Sequence, residues 1–464
     1  WGETLGELQR ASLQICTDCR ELVLFRLLVT GQTPQHLWTA TDQPIAPGSG
    51  RARLTLGSHW NPSLLPPSPS PSTSPLLVMA ETSLVLAGGG RGGGNRWHNW
   101  PPSLEELTLG DAFDQDVEGR GFPAGLRRLT FGRGFNRSLV CGAWLPATLR
   151  RLSFGQRFNC DVEGVAWPAS LEVLEFGDHF NRPVEGARFP PGLGTISFGA
   201  EFNRPVERVA WPPALERLSF GHDFDQPIGL VAWPAGLESL VFGDSFDRAV
   251  SRARLPPGLR RLVFGKSFNC PVADVAWPSG LTQLVFGARF DQVVGCASLP
   301  PSLQELAFGL SFNRPIDTAA WPAGLRRLVF GARFNQGLAS LPPALEELVF
   351  GYNFDQPVAS TAWPRTLRRL AFGHDFDQDV EGVAWPPSLR EISFGYCFNH
   401  PVERVTWPVS LLRLTFGGCF DHSIDGVEWP ASLRSLTFGY AFLQSLERVR
   451  WPARLTHVSF DRSF

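Results

Sequence analysis

Several things that would assign this 464-residue chain to a common function class are missing or scarce. The formal net charge is only −2, from 42 Lys and Arg against 44 Asp and Glu. So even a balance gives no default attraction to nucleic acid or to an anionic membrane surface. The apolar stretch at 22–29 is broken by Arg26 and is too short to span a bilayer. Cysteine is sparse, eight residues scattered along the chain, and tyrosine sparser still, with three. Scattered cysteines do not make the framework of a small secreted scaffold. They point to reduced thiols and an intracellular, cytoplasmic setting. Catalytic motifs are missing too. Cys16-Thr17-Asp18-Cys19 is a lone C-x-x-C with no second ligand pair beside it. The Gly-rich stretch 88–94, which holds Arg91, lacks the Gly-Lys-Ser/Thr of a phosphate loop. The sequence therefore predicts no catalytic residue, no cofactor and no metal.

Glycine and proline are abundant, at 47 and 40 residues. Without periodicity such a composition would indicate disorder. Here it is periodic. A glycine recurs from Gly110 to Gly439 in sixteen copies, every 22 residues except for one step of 23 (Gly132 to Gly155) and one of 20 (Gly331 to Gly351). A fixed period in the low twenties marks a solenoid whose coils cannot bury their apolar faces alone. Each copy reads L-x-x-L-x-F-G-x-x-F-[N/D], as in Leu215 to Asp225. The L-x-F part alternates with period two, so it predicts a short strand with Leu and Phe inward. The expected fold is a β-solenoid whose parallel sheet takes one short strand from each ~22-residue coil. The glycine needs either a positive φ or a place where the chain passes too close for a Cβ. A second apolar column, mostly Trp, precedes a Pro and is expected to fill the core coil on coil, while the Pro feeds the next strand.

The polar column is the most informative. Fifteen of sixteen coils place Asn or Asp four residues after the glycine, and the last has Leu443. Asp stacks beside Asp at 225/247 and 355/377. A cross-coil amide ladder needs a side-chain donor, which ionised Asp lacks. The sequence therefore predicts that each side chain accepts a backbone N–H of its own coil, as in an Asx turn.

The motif [L/W/F]-P-x-x-L-x-x-L-x-F-G-x-x-F-[N/D]-x-P-[V/I], as in Trp211-Pro212 through Ile228, resembles the FNIP repeat, a relative of the leucine-rich repeats. The resemblance covers about 100–464 and implies a right-handed, leucine-rich-repeat-like solenoid of about sixteen coils. It also implies a non-catalytic scaffold that binds another protein. Relatives often carry an F-box ahead of the repeats. No F-box pattern is visible here, so a ubiquitin-ligase role is not carried over.

Three segments follow. Residues 1–61 form a poorly defined N-terminal segment, with one expected helix from about Leu5 to Val29 and one stray repeat, Leu54 to Pro62. The segment 62–96 reads as a Pro/Ser- and Gly-rich flexible linker or insertion, and 97–464 as the repeat array. The first residue is Trp, which points to a start that is processed, truncated or misassigned. Both departures from the 22-residue step fall between the Asn column and the Pro turn, near 141–144 and 336–340, so that segment is expected to be the tolerant outer side of the coil.

Candidate partner-binding residues come from two columns. All three tyrosines, Tyr352, Tyr396 and Tyr440, directly follow the glycine, and His374 shares their column. Every second coil would set the tyrosine rings ~10 Å apart in an exposed row, and tyrosine is enriched at binding hot spots. Four and five residues before the glycine lie charge pairs, Arg in some coils and Glu105/Glu106 and Glu346/Glu347 in others, which are expected to pair across strands and help fix register. Arg127, Arg128, Arg150 and Arg151 sit on neighbouring coils with no Glu pair between them, which suggests a groove for an acidic peptide. Cys397 and Cys419 share a column in adjacent coils, within the Cα separation of a disulfide. The sequon Asn136-Arg137-Ser138 falls in the Asn column and is expected to be buried. The expected partner is another protein, with neither nucleic acid nor a membrane. The rival readings are a structural or surface-adhesion array and a carbohydrate-active parallel β-solenoid. The free exchange of Asn and Asp in the one regular acidic column weighs against the latter, because acid–base work does not tolerate an amide.

Overall fold

A computed structural model of the chain describes residues 52–55, 103–117, 121–139, 145–294, 299–316 and 320–460. The helix expected at 5–29, the C-x-x-C, the linker at 62–96 and the extra residue near 141–144 lie outside the described residues. The chain divides into two compact units, one of Ala40–Arg261 and one containing Leu262–Phe464.

In the first unit the strands are β1 (Ala52–Thr55), β2 (Leu104–Thr108), β3 (Arg128–Thr130), β4 (Arg151–Ser153), β5 (Val173–Glu175), β6 (Thr195–Ser197), β7 (Arg217–Ser219) and β8 (Ser239–Val241). Each pairs in parallel with the next in sequence. β9 (Arg261–Val263) begins where the units divide. The second unit continues with β10 (Gln283–Val285), β11 (Glu305–Ala307), β12 (Arg327–Val329), β13 (Glu347–Val349), β14 (Arg369–Ala371), β15 (Glu391–Ser393), β16 (Arg413–Thr415), β17 (Ser435–Phe438) and β18 (His457–Phe460). From β10 to β18 these again pair in parallel, in sequence order. Each unit is thus a leucine-rich-repeat-like β-solenoid. Among the described residues no helix is long and apolar enough to cross a membrane.

The three-residue strands follow from the motif. In β7 the middle residue, Leu218, is buried, while Arg217 and Ser219 face outward. The same coil buries Leu215, Phe220, Phe224 and Ile228 at 5% exposure or less. Each such side chain contributes about 1.5–3 kcal/mol, which is what holds coils with so little regular structure together. The two Phe columns run as ladders: Phe220 and Phe224 stack at 3.9 Å within their coil, and Phe224 meets Phe246 of the next at 6.1 Å. The Trp column is core only in part. Trp167, Trp211, Trp363, Trp385 and Trp407 are buried, whereas Trp451 is exposed. Stacking coil on coil is present, as between Trp363 and Trp385 at 5.8 Å.

Register survives both changes of step. Leu129 pairs with Leu152 across the 23-residue coil and Leu328 with Leu348 across the 20-residue one. The stray repeat is not isolated. Leu54 and Thr55 of β1 pair with Leu107 and Thr108 of β2, so that segment stacks on the array although it lies far upstream in sequence.

The glycine column is a close-approach position. A Cβ on Gly243 would lie 1.5 Å from the carbonyl oxygen of Gly221, and one on Gly373 1.6 Å from that of Gly351. That oxygen already accepts the N–H that closes its own turn, Phe224 to Gly221 at 3.3 Å, so it cannot move aside. None of these glycines is among those with positive φ, which are Gly164, Gly382 and Gly426.

The Asn/Asp column corrects the expectation of an own-coil turn. Its Oδ1 accepts the backbone N–H of the same column in the following coil: Asn203 from Asp225 at 3.1 Å, Asn313 from Asn335 at 2.9 Å, Asp355 from Asp377 at 3.0 Å. The ladder runs from Asp114 to Asp247 in one unit and from Asn269 to Leu443 in the other. The donor is the main chain, so a carboxylate serves as well as an amide, and Asp can follow Asp. Leu443 contributes its N–H to Asp421 and offers no oxygen onward. That N–H, with the Gln444 amide, holds the Asp421 carboxyl below its ordinary value. Asn136 is likewise a ladder member, and it is exposed rather than buried as its place in the column suggested.

Candidate functional site

In each coil the glycine opens a tight turn closed by the Phe three residues on, as in Phe376 N–H to Gly373 at 3.3 Å. The two middle residues of that turn form the rim of the coil. Rims are tied to one another: Asp375 donates to Tyr352 O, Cys397 to His374 O and Cys419 to Tyr396 O, each at 2.8 Å. First-position side chains of successive coils therefore stand one above another, and so do second-position ones.

This places the aromatic column as a continuous ridge in the second unit. Tyr352 and His374 stack at 4.1 Å with 6° between their planes, and His374 and Tyr396 at 4.7 Å with 4°. Tyr396 and Tyr440, two coils apart, nevertheless meet at 5.7 Å, tilted by 49°, with their hydroxyls in contact. The ~10 Å spacing expected for alternate coils is corrected here, and the reason is Gly418. It is the first-position residue between them, and a Cβ there would lie 2.6 Å from Tyr396 Cε2 and 3.0 Å from Tyr440 Cε1. With no side chain in the way, the two rings close over the gap. Tyr352 is 49% exposed and Tyr440 45%, while His374 and Tyr396 are half-buried by their neighbours in the stack.

A second group at the same rim escaped sequence reading. His374 Nδ1 lies 2.7 Å from Asp375 Oδ1 and 3.7 Å from Cys397 Sγ. Nitrogen, carboxylate oxygen and sulfur all fall within 4.8 Å of one another. The three are scattered in the linear sequence as His-Asp and, 22 residues later, Cys. Overlaying first and second rim positions of adjacent coils is the signal that would have found them. Cys397 and Cys419 are both free thiols, so the disulfide geometry their columns allow is not used. The Cys397 thiol is raised by burial and then by Cys419 and the carboxylates of Asp375, Asp377 and Asp355.

The four arginines of the first unit come together as expected, but not as an open cationic groove. Arg127 and Arg128 reach Glu105 at 3.9 Å and Glu106 at 3.6 Å. Arg150 pairs with Glu172 at 2.8 Å and Arg151 with Glu175 at 2.6 Å, while Glu175 also accepts from Ser153. Glu105, Glu106 and Glu172 line the same groove of about 330 Å³. Two rows of cations are thus flanked on both sides by carboxylates. The carboxylates face guanidinium groups rather than each other. In the second unit Glu346 bridges its neighbours, Arg326 and Arg368, at 3.3 Å each.

The FNIP Repeat family profile matches residues 180–223, 277–311 and 334–375. No curated protein matches the chain. Among solved structures CroV588, a novel circular LRR protein, is similar: 34% identical, with a TM-score of 0.69, over 78% of this chain and 57% of its own. The chain thus spans little more than half the length of that relative. The internalin InlF from Listeria monocytogenes is 13% identical with a TM-score of 0.41, over 64% of this chain and 83% of its own. A leucine-rich repeat protein from Bacteroides ovatus is 13% identical with a TM-score of 0.14, over 77% and 75%. At these last two scores the likeness carries no argument. The motif, the stacked parallel strands and the family match agree: this chain is a tandem array of FNIP repeats folded as a leucine-rich-repeat-like β-solenoid.

Proposed function

We propose that the array is a non-catalytic scaffold that binds another protein, and that the ridge Tyr352–His374–Tyr396–Tyr440 is its contact surface. The continuous ring stack carries this reading. Three rings stacked face to face, with Tyr440 leaning on Tyr396, have little rotamer freedom to lose on binding, so more of the contact energy is left for affinity. Tyrosine presents a large apolar face and a hydroxyl in one side chain, the combination enriched at hot spots. The ridge runs for roughly 19 Å along the coils, at ~4.8 Å per step. Asp355, Asp375 and Asp377 lie on the coils of Tyr352 and His374, so a segment carrying Arg or Lys beside an apolar anchor fits best, with cation–π contact to the rings. The near-zero net charge gives no reason to propose nucleic acid or a membrane as partner. Free thiols at Cys160, Cys397 and Cys419 suit a reducing, cytoplasmic setting.

The test is site-specific photocrosslinking in cells. A benzoylphenylalanine at position 352 or 440 is compared with one at Leu230, which is 79% exposed on the outer turn of another coil. A discrete protein adduct from the ridge positions alone supports the reading. No adduct, or the same adducts from Leu230, would move weight to a structural or adhesion array.

A further inference from the structure

We propose that the rim of the coils at 374–397 is a binding site for a divalent cation of the zinc type, with His374 Nδ1, the Asp375 carboxylate and Cys397 Sγ as ligands and the fourth position left to water. This goes beyond the partner-binding reading and stands or falls without it.

The donor set is the first argument. Imidazole nitrogen, carboxylate oxygen and thiolate sulfur together suit zinc, whereas calcium and magnesium take oxygen alone. Spacing is the second. Zn–N of about 2.05 Å and Zn–S of about 2.3 Å at a tetrahedral angle put the two donors roughly 3.6 Å apart. His374 Nδ1 and Cys397 Sγ are 3.7 Å apart. Asp375 Oδ1, at 2.7 Å from Nδ1, sits closer than a shared metal allows. Its carboxylate needs to swing outward by about half an ångström, which a half-exposed side chain on a turn can do.

Pre-organisation is the third argument. Stacking between Tyr352 and Tyr396 fixes the His374 ring plane, so its Nδ1 is held toward Asp375 and Cys397. Cys397 is tied to the same rim by its N–H bond to His374 O. The electrostatics point the same way. Asp355, Asp375 and Asp377 stand on the coils that carry Tyr352 and His374. Such a collection of anionic groups is the field that a divalent cation would neutralise. On binding, the Cys397 proton leaves to solvent and His374 binds as the neutral imidazole.

The experiment is Co²⁺ titration of the full chain, stripped with chelator, in a Cys16→Ser/Cys19→Ser background so that the C-x-x-C cannot contribute. The expected result is one equivalent of Co²⁺ with a thiolate-to-metal charge-transfer band in the near ultraviolet and strong tetrahedral d–d bands, both removed by one equivalent of Zn²⁺. Cys397→Ser should abolish the charge-transfer band. His374→Gln should keep that band but weaken binding by more than about tenfold, a loss that even an outer-shell partner can cause. Thermal melting of each variant without metal checks the fold, and His374→Gln, on the surface, provides the reading should the Cys397 variant fail to fold. No charge-transfer band at stoichiometric Co²⁺, a band that survives Cys397→Ser, or unchanged affinity in His374→Gln would overturn the proposal.

Discussion

At the scale of single residues, the array rests on two positions with opposite demands. The Asn/Asp position needs one oxygen and is indifferent to what else the side chain carries. Asn313 accepts from Asn335 N–H at 2.9 Å and from the Gln336 amide at 3.0 Å. Asn313→Asp should therefore change stability by less than about 0.5 kcal/mol, whereas Asn313→Ala, which leaves both donors to water, should cost about 1 kcal/mol. Urea denaturation of the two variants side by side checks this. The glycine position tolerates nothing. Gly243→Ala drives a methyl into the Gly221 carbonyl oxygen and should destabilise by more than about 3 kcal/mol. Gly229→Ala, with nothing within 4 Å of its Cβ, should be near neutral in the same melts. The sequence made both columns legible as columns. It left the glycine's reason open between two alternatives, and it assigned the Asn oxygen to the wrong donor. An acceptor requirement can be read from Asn/Asp exchange. Which N–H it meets depends on how one coil lies on the next, and no single repeat records that.

At the scale of the coil, strand and outer turn divide the work. The strand fixes register through buried Leu, Leu and Phe. The outer turn absorbs changes of length, as the 20-residue coil shows by keeping Leu328 opposite Leu348. Inserting two residues after Gly337 restores the common step. The coil should keep its circular dichroism spectrum and melt within a few degrees of wild type. A single residue inserted between Leu328 and Val329 turns Val329 and Phe330 to the opposite faces and should abolish cooperative unfolding of that unit. The rim shows what periodicity alone misses. Column membership gave Tyr352, His374, Tyr396 and Tyr440 as a row. It did not show that Gly418 lets two rings close, nor that His374, Asp375 and Cys397 converge, because each of those contacts joins residues of different columns or different coils. In the first unit the arginine pairs were legible, but the partners of Arg150 and Arg151 were not, since Glu172 precedes β5 and Glu175 ends it rather than forming an adjacent pair.

At the scale of the molecule, the chain is repetition with local departures, and the departures mark the candidate sites. Fold and family follow from the regular positions, which recur identically. Function rests on positions free to vary, and the aromatic ridge is the departure that is both exposed and internally ordered. The most direct measurement of the account is the affinity of the photocrosslinked partner for wild type and for Tyr352→Ala/Tyr396→Ala/Tyr440→Ala, by isothermal titration calorimetry once thermal melts show that both are folded. The account predicts binding weaker by more than about thirtyfold in the variant, the loss of a single hot spot or more. Equal affinity in the two proteins would contradict it.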